Sequence, residues 1–494
     1  MKYSRMKKEG LIMSVLKNLK PEKVFYYFEE ITKIPHGSYN TKEISDYLVS
    51  FAKEHGLDYV QDASNNVVIR KPAAPGYEDA PVTIIQGHCD MVCVKTADSD
   101  HDFTKDPLQL AVDGDFIYAK DTSLGGDDGI AIAYALAILD SDDIPHPALE
   151  VVITTDEEVG LIGAGTLDKS ILKGTYMLNL DSEDEGSLLV GCAGGMSAVS
   201  TIPVDYRLTS GVMVTLSLEG LLGGHSGVEI NKNRGNANIL MGRFLYELAE
   251  KTDYQLIDLN GGQQDNVIPK ACAAHIVVDE SEVATVVEAA ALYQKNLRGE
   301  YSGSDENMVM TVVANEKGEY DALIPSSKAK IIFYLMNVAN GVQKMSGQIE
   351  GLVESSTNLG ILRVEDGYMY AKSSTRSSVA TAKRAIGDKI CFLTEFLGGD
   401  YTEEGAYPGW EYNPDSKLHP LMVDVYEKMY GEKPVVEVIH AGLECGLFFE
   451  CMPGLDCVSF GPDMESIHSV NEKLSISSVA RTWEYLLAVL KEIK

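Results

Sequence analysis

The chain has 494 residues, enough for two or more domains each with its own core. Its 45% apolar and 23% charged content is that of a globular rather than a disordered protein. With 42 Lys and Arg against 74 Asp and Glu the formal charge is −32, a field that repels nucleic acid and anionic lipid and argues against both as partners. No stretch reaches the roughly 20 apolar residues that span a bilayer. The basic opening "MKYSRMKKEGLIMSVLKNLK" has too short an apolar piece for a signal peptide, so a cytoplasmic location is expected. Met13 is an alternative start, which would leave residues 1–12 as a disordered extension. The eight cysteines, at positions 89, 93, 192, 272, 391, 445, 451 and 457, form no paired CxxC pattern and fit free thiols.

Helical spacing predicts helices over 21–33, with Pro21 near the first turn, and near 41–55 behind Thr41. Three β-branched apolar runs follow, "PVTIIQ" at 81–86, "LEVVIT" at 149–154 and "TYMLNL" at 175–180, which read as inner strands of a covered sheet. Between the first two, "DDGIAIAYALAILDS" at 127–141 reads as an apolar helix that an Asp caps. Strands separated by helices imply parallel pairing and an α/β sheet. From about 398 the style returns: a helix near 417–430, strands at 434–440 and 456–460, and a final helix from about 475 complete the same sheet.

The middle differs and is duplicated in element order. Strand 212–220, helix 235–251, strands 254–260 and 271–278 and helix 281–298 are followed by strand 307–315, helix 327–345, strands 359–365 and 368–374 and helix 378–397. Both read β-α-β-β-α, an internal repeat of roughly 90 residues. The expected division is 1–192 and 398–494 for a mixed, largely parallel α/β domain, with 193–397 as an inserted α+β domain of two such repeats.

Ligand sites of parallel α/β sheets form beyond the carboxyl ends of the strands. There the chain puts His88 and Asp90 of "GHCD", Asp156, Glu157 and Glu158 of "TTDEEVG", Asp181, and His468 beyond "CVSF". Asp127 and Asp128 open the apolar helix at the same rim. Carboxylates side by side repel unless a cation sits among them, and imidazole with carboxylate favours Zn²⁺, with Mn²⁺ or Co²⁺ in a mixed site. His88, Asp127, Glu158, Asp181 and His468 exceed what one ion needs, which implies two ions sharing a bridging carboxylate. Residues two apart in an extended segment point the same way, so Asp90 reaches the back of His88 and fixes its tautomer. Neighbours point apart, so one of Glu157 and Glu158 binds metal while the other acts as general base; Asp156 turns away to cap a turn or helix start.

The motifs "GHCDMV", "LGGDDGIA", "TTDEEVG", "NLDSEDEG" and "SIHS" resemble the metal motifs of the aminoacylase/carnosinase type of dinuclear zinc exopeptidases. With "GLLGGHSGVEI", "HAGLECG" and "GPDMESIHS", the chain more narrowly resembles the aminoacyl-histidine (Xaa-His) dipeptidases over nearly its whole length. The resemblance implies an α/β catalytic domain interrupted by a lid domain. It implies that His88, Asp127 and Asp181 bind one ion, that Asp127, Glu158 and His468 bind the other, that Glu157 is the general base and that Asp90 supports His88. It further implies substrate contacts from the lid, for which His225 of "GGHSG", Asn266 of "DNVIP" and Arg376 of "STRSS" fit, with His225 as oxyanion stabiliser. Asp128 stands where the family pattern would place Asn.

The reaction so implied is hydrolysis of a small peptide by a bridging water that two metal ions and Glu157 activate. A homodimer is a candidate assembly. The rival readings are an N-acyl amino acid deacylase on the same scaffold and a metal-binding protein without activity. A phosphate-cleaving metalloenzyme lacks a Gly-rich or basic phosphate cradle near the ligands.

Overall fold

In a computed structural model that describes residues 14–494, the three apolar runs form strands Thr83–His88, Leu149–Thr154 and Tyr176–Asn179. The proposed start at Met13 and the extension before it lie outside the described residues. One eight-stranded sheet has the order Asp58–Gln61, Val67–Lys71, Leu149–Thr154, Thr83–His88, Tyr176–Asn179, Asp456–Ser459, Ser187–Cys192 and Val435–Ile439. Its four middle strands pair parallel, as continuous burial on both faces requires. Helix Gly126–Leu139 is buried along its whole length between Thr83–His88 and helix Glu22–Ile31, which explains why its sequence has no polar face. Its start differs from expectation: Gly125 is the cap position and no side chain within the helix caps it.

A second sheet runs in the order Val309–Leu323, Tyr206–Glu219, Cys272–Val278, Tyr254–Gly261, Val353–Glu365, Tyr368–Ser377, Gly194–Pro203 and Asp400–Tyr407. Helices Ala237–Ala249, Val283–Glu300, Pro325–Asn337 and Ala380–Phe396 bury Phe244, Tyr293, Tyr334 and Ile390 in one core with its strands. The element order repeats as expected, but the pairing is not that of two tandem copies. Val309–Leu323 pairs with Tyr206–Glu219 of the first copy, and Gly194–Pro203, which precedes both copies, pairs with Tyr368–Ser377. The sheet is instead near-symmetric about the antiparallel junction between Tyr254–Gly261 and Val353–Glu365. The helix expected over 327–345 ends at Asn337, and Gly341–Met345 is a short strand against Val353–Glu365.

By compactness the chain divides into two units. The first holds the described residues to Val190 with Asn413–Glu437 and Leu447–Lys494; the second holds Gly191–Tyr412 with Val438–Gly446. The boundary expected at 397/398 thus falls at 412/413, because Asp400–Tyr407 extends the second sheet through backbone pairing with Gly194–Pro203. The 192/193 boundary falls at 190/191. Among the described residues no helix is long and apolar enough to cross a membrane.

Candidate active site

Parallel register fixes the rim of the first sheet. His88 pairs level with Thr154, and Gln86 with Asn179, so the segments bearing Glu157, Glu158 and Asp181 leave the sheet at one edge. There Asp127 lies between two imidazoles, with Oδ1 3.2 Å from His88 Nε2 and Oδ2 2.9 Å from His468 Nε2. Asp181 Oδ1 is 3.8 Å from His88 Nε2, and Glu158 Oε1 is 2.9 Å from His468 Nε2. Three sets, His88 with Asp127 and Asp181, Asp127 with Glu158 and His468, and His88 with Glu157 and Glu158, each bring their ligand atoms within 4.8 Å of one another. Glu157 Oε2 is 4.0 Å from His88 Nε2, so Glu157 shares the rim with the other carboxylates. His468 and Asp156 adopt left-handed backbone (φ 59° and 53°), the kind of strain that collects at functional sites.

The buried charges of this cluster shift one another strongly. Burial pushes Asp181 well above the usual carboxylate range; the charge of His88 opposes this, while those of Asp128, Asp127 and Glu157 add to it. Burial opposes ionisation of Asp127, yet hydrogen bonds with His468 and His88 hold it below its ordinary value. The same contacts raise His468 to about 10 through Asp127 and Glu158, and raise His88 through Asp127 and Asp90 against its burial. Among the described residues Asp127, Glu158 and Asp181 pair with these imidazoles and with no Lys or Arg. Convergent oxygens and imidazole nitrogens with an excess of negative charge fit divalent cations, and Asp127 has one oxygen for each of the two sets it belongs to.

The surrounding residues orient this donor set. The backbone carbonyl of Asp90 lies 3.0 Å from His88 Nδ1 and its carboxylate Oδ1 3.4 Å, so Asp90 does hold the back of His88, with its main chain closest. The Asp90 carboxylate also accepts from Ser38 Oγ (2.8 Å) and from the Glu157 N–H (3.0 Å), and thereby positions Glu157 as well. Asp128 Oδ2 accepts the backbone N–H of His88 at 3.2 Å and so supports the His88 backbone, while Asp127 is the carboxylate that faces both imidazoles. Asp156 does not cap a helix; it accepts the Tyr39 N–H at 2.6 Å. Glu472, which no motif marked, accepts from the backbone N–H groups of residues 124–127.

His225, Asn266 and Arg376 belong to the second unit. The loop bearing His225 is closed at its ends by the buried Asp305, which accepts the N–H of Leu222 (2.6 Å) and of Gly235 (2.7 Å). His225 pairs with Val267, beside Asn266, and its Nδ1 accepts the N–H groups of Gly227 and Val228 at 3.2 Å each. An Nδ1 that accepts leaves the proton on Nε2, and burial, then the charge of Arg376, keeps the ring neutral. Arg376 is buried; its Nη1 donates to Tyr407 Oη (3.0 Å), its Nε has no hydrogen-bond partner, and it makes no ion pair among the described residues. It borders a cavity of about 510 Å³ with Asn266, Asp265, Ser197, Ser374 and Tyr407. His440 of "HAGLECG" joins this group through Ser356 Oγ (2.7 Å), and burial, followed by Arg376 and His225, lowers it to about 4. Tyr407 carried no sequence signal, whereas His440 lay within a quoted motif.

Residues 84–492 match the profile of Peptidase family M20/M25/M40. A cytosol non-specific dipeptidase of Escherichia coli is 38% identical over 485 residues, 97% of this chain and 99% of that one. The structure of an aminoacylhistidine dipeptidase from Vibrio alginolyticus matches with a TM-score of 0.92 at 37% identity, over 98% of this chain and 99% of that one. The aminopeptidase PepT of Bacillus cereus, 16% identical with a TM-score of 0.55 over 96% of this chain and 99% of that one, shares the fold. The rim of shared carboxylate and paired imidazoles, together with similarity along nearly the whole sequence, makes this chain an enzyme of the M20/M25/M40 peptidase family, whose metallopeptidases require divalent metal ions.

Proposed function

We propose that the chain is a dinuclear metal-dependent dipeptidase acting on small peptides of the Xaa-His type. The observation that carries the short-peptide part of this reading is Arg376, a buried guanidinium that makes no ion pair among the described residues. A buried charge without a counter-ion is costly, and the terminal carboxylate of a short peptide is an anion that a guanidinium binds bidentately. The names of the Escherichia coli and Vibrio relatives both support a dipeptidase, only the Vibrio name supports the Xaa-His type, and the word cytosol in the first supports a cytoplasmic location here.

In this reading His88, Asp127 and Asp181 hold one ion, and Asp127, Glu158 and His468 the other, Zn²⁺ for preference with Mn²⁺ or Co²⁺ suiting the same donors. When bound, the ions supply Lewis acidity that polarises the scissile carbonyl and acidifies water. Glu157, oriented through its N–H by Asp90, takes the proton of the attacking water and delivers it to the leaving amine as the C–N bond breaks. His225 donates its Nε2–H to the carbonyl oxygen as negative charge develops there. Arg376 and Asn266, which border one cavity of the second unit, hold the terminal carboxylate. A homodimer remains the candidate assembly, to be read from sedimentation.

The test is a panel of dipeptides, their N-acylated counterparts and tripeptides against metal-free protein reloaded with Zn²⁺, Mn²⁺ or Co²⁺. Turnover of free-amine dipeptides, strongest for Xaa-His, is expected. Turnover of N-acyl amino acids alone would make the protein a deacylase, and metal uptake without any hydrolysis would make it a binding protein.

A further inference from the structure

The loop that carries Asp127 is folded around an anion supplied by the chain itself. Gly125 takes a left-handed backbone (φ 66°), and the N–H groups of Leu124, Gly125, Gly126 and Asp127 meet the carboxylate of Glu472 at 2.7, 3.2, 2.8 and 3.4 Å. Successive amides around a left-handed residue form a concavity suited to a negative charge, and helix Gly126–Leu139 turns its positive end to the same place. Glu472 is only 3% exposed. The loop has little room for side chains: a Cβ at 126 would stand 3.2 Å from Met464 Sδ and 3.3 Å from Glu472 Oε1, and one at 125 would stand 2.9 Å from Met91 Sδ.

Glu472 lies four residues beyond His468, and its own N–H donates to the Ser469 carbonyl at 3.3 Å. Its carboxylate therefore joins two ligand-bearing segments that are 341 residues apart in the chain and that meet where Asp127 Oδ2 lies 2.9 Å from His468 Nε2. At that point neither segment has regular structure to hold it: Asp127 is non-helical (φ −81°, ψ 106°) and His468 is left-handed. The ordering that a helix or ladder would provide comes from Glu472.

We infer that Glu472 is a positioning residue for the metal centre: its carboxylate, seated in the amide concavity of residues 124–127, fixes Asp127 opposite His468 and sets the affinity for the ion these two share with Glu158. The inference rests on the ligand assignment proposed above.

Full-length wild type, Glu472→Gln and Glu472→Asp are titrated with Zn²⁺ against a chromophoric chelator, and the Tm of each metal-free protein is measured. Gln keeps the size but sets an amide against backbone donors, so Zn²⁺ affinity should fall about 10–100-fold, the usual cost of losing a group that orients a ligand. Asp keeps the charge on a shorter stem and should lose less. Asp456→Asn is the control, since Asp456 is likewise a buried carboxylate accepting backbone N–H groups, those of Lys417 (2.7 Å) and Leu418 (3.0 Å), away from the ligands. It should lower the metal-free Tm and leave Zn²⁺ affinity at the wild-type value. Native affinity in both Glu472 variants, or an equal loss in Asp456→Asn, overturns the inference. Because the readout needs no substrate, a wild type that cleaves no dipeptide would sink the dipeptidase reading and leave this one standing.

Discussion

Asp127 and His468, 341 residues apart, meet at 2.9 Å through one carboxylate oxygen, while the other oxygen of Asp127 faces His88 at 3.2 Å. In the proposed reading a carboxylate so divided serves both metal sets. Asp127→Asn should therefore deplete both ions together, whereas Asp181→Asn should deplete one. Elemental analysis after equilibration with excess Zn²⁺ checks this, and a wild type that takes up a single ion would end the dinuclear reading.

The proposed function gives the adjacent glutamates of "TTDEEVG" different work. Glu158 touches His468 at 2.9 Å, and Glu157 stands 4.0 Å from His88 with its backbone tied to Asp90. Glu157→Gln should keep both ions and lose about 10²–10⁴-fold in kcat, the contribution of a general base. Glu158→Gln should lose an ion and lower Tm when metal is limiting. The reverse pattern of metal contents would exchange the two roles.

For His225 the expected loss lies in turnover alone. Its Nδ1 is occupied by two backbone N–H groups, which leaves an Nε2–H donor. His225→Ala should lower kcat about 10²–10³-fold, as the loss of an oxyanion donor does, with metal content unchanged. A missing ion in that variant would mean the residue had been misplaced.

Arg376→Lys tests carboxylate recognition. Lys keeps the charge but not the bidentate fork, so KM for a dipeptide should rise about ten- to a hundredfold with kcat less affected. The corresponding dipeptide amide, which has no carboxylate, should respond equally little in both proteins. An equal rise for acid and amide would exclude a carboxylate contact.

His440 should make the protein acid-sensitive. Burial, then Arg376 and His225, hold it at about 4 against an ordinary 6.5. Between those values the unfolded chain binds a proton that the folded one refuses, so stability present above about pH 6.5 is lost as pH falls toward 4. His440→Gln removes that titration while keeping a group to meet Ser356, so its Tm should gain on wild type as pH is lowered through this window. A Tm difference independent of pH would contradict this assignment.

Sequence patterning by itself determined the parallel strands, the buried helix and the rim at which His88, Asp127, Glu157, Glu158, Asp181 and His468 collect. Apolar runs and helical spacing are local signals, and the strand-end rule converts them into a place. The same patterning found the helices and most central strands of the second unit, but neither their pairing nor strands Gly194–Pro203, Gly341–Met345 and Asp400–Tyr407. Strand Asp400–Tyr407 is polar along most of its length, and only backbone hydrogen bonds to Gly194–Pro203 assign it to that sheet. The roles of Asp128, Glu472 and Tyr407 were likewise decided by tertiary structure alone. Each rests on a hydrogen bond between segments 31 to 348 residues apart, as in Arg376–Tyr407 and Leu124–Glu472, and no local periodicity encodes such a meeting. Residue types and spacing specify which groups a strand end delivers; which neighbour holds each group in place depends on how distant segments pack.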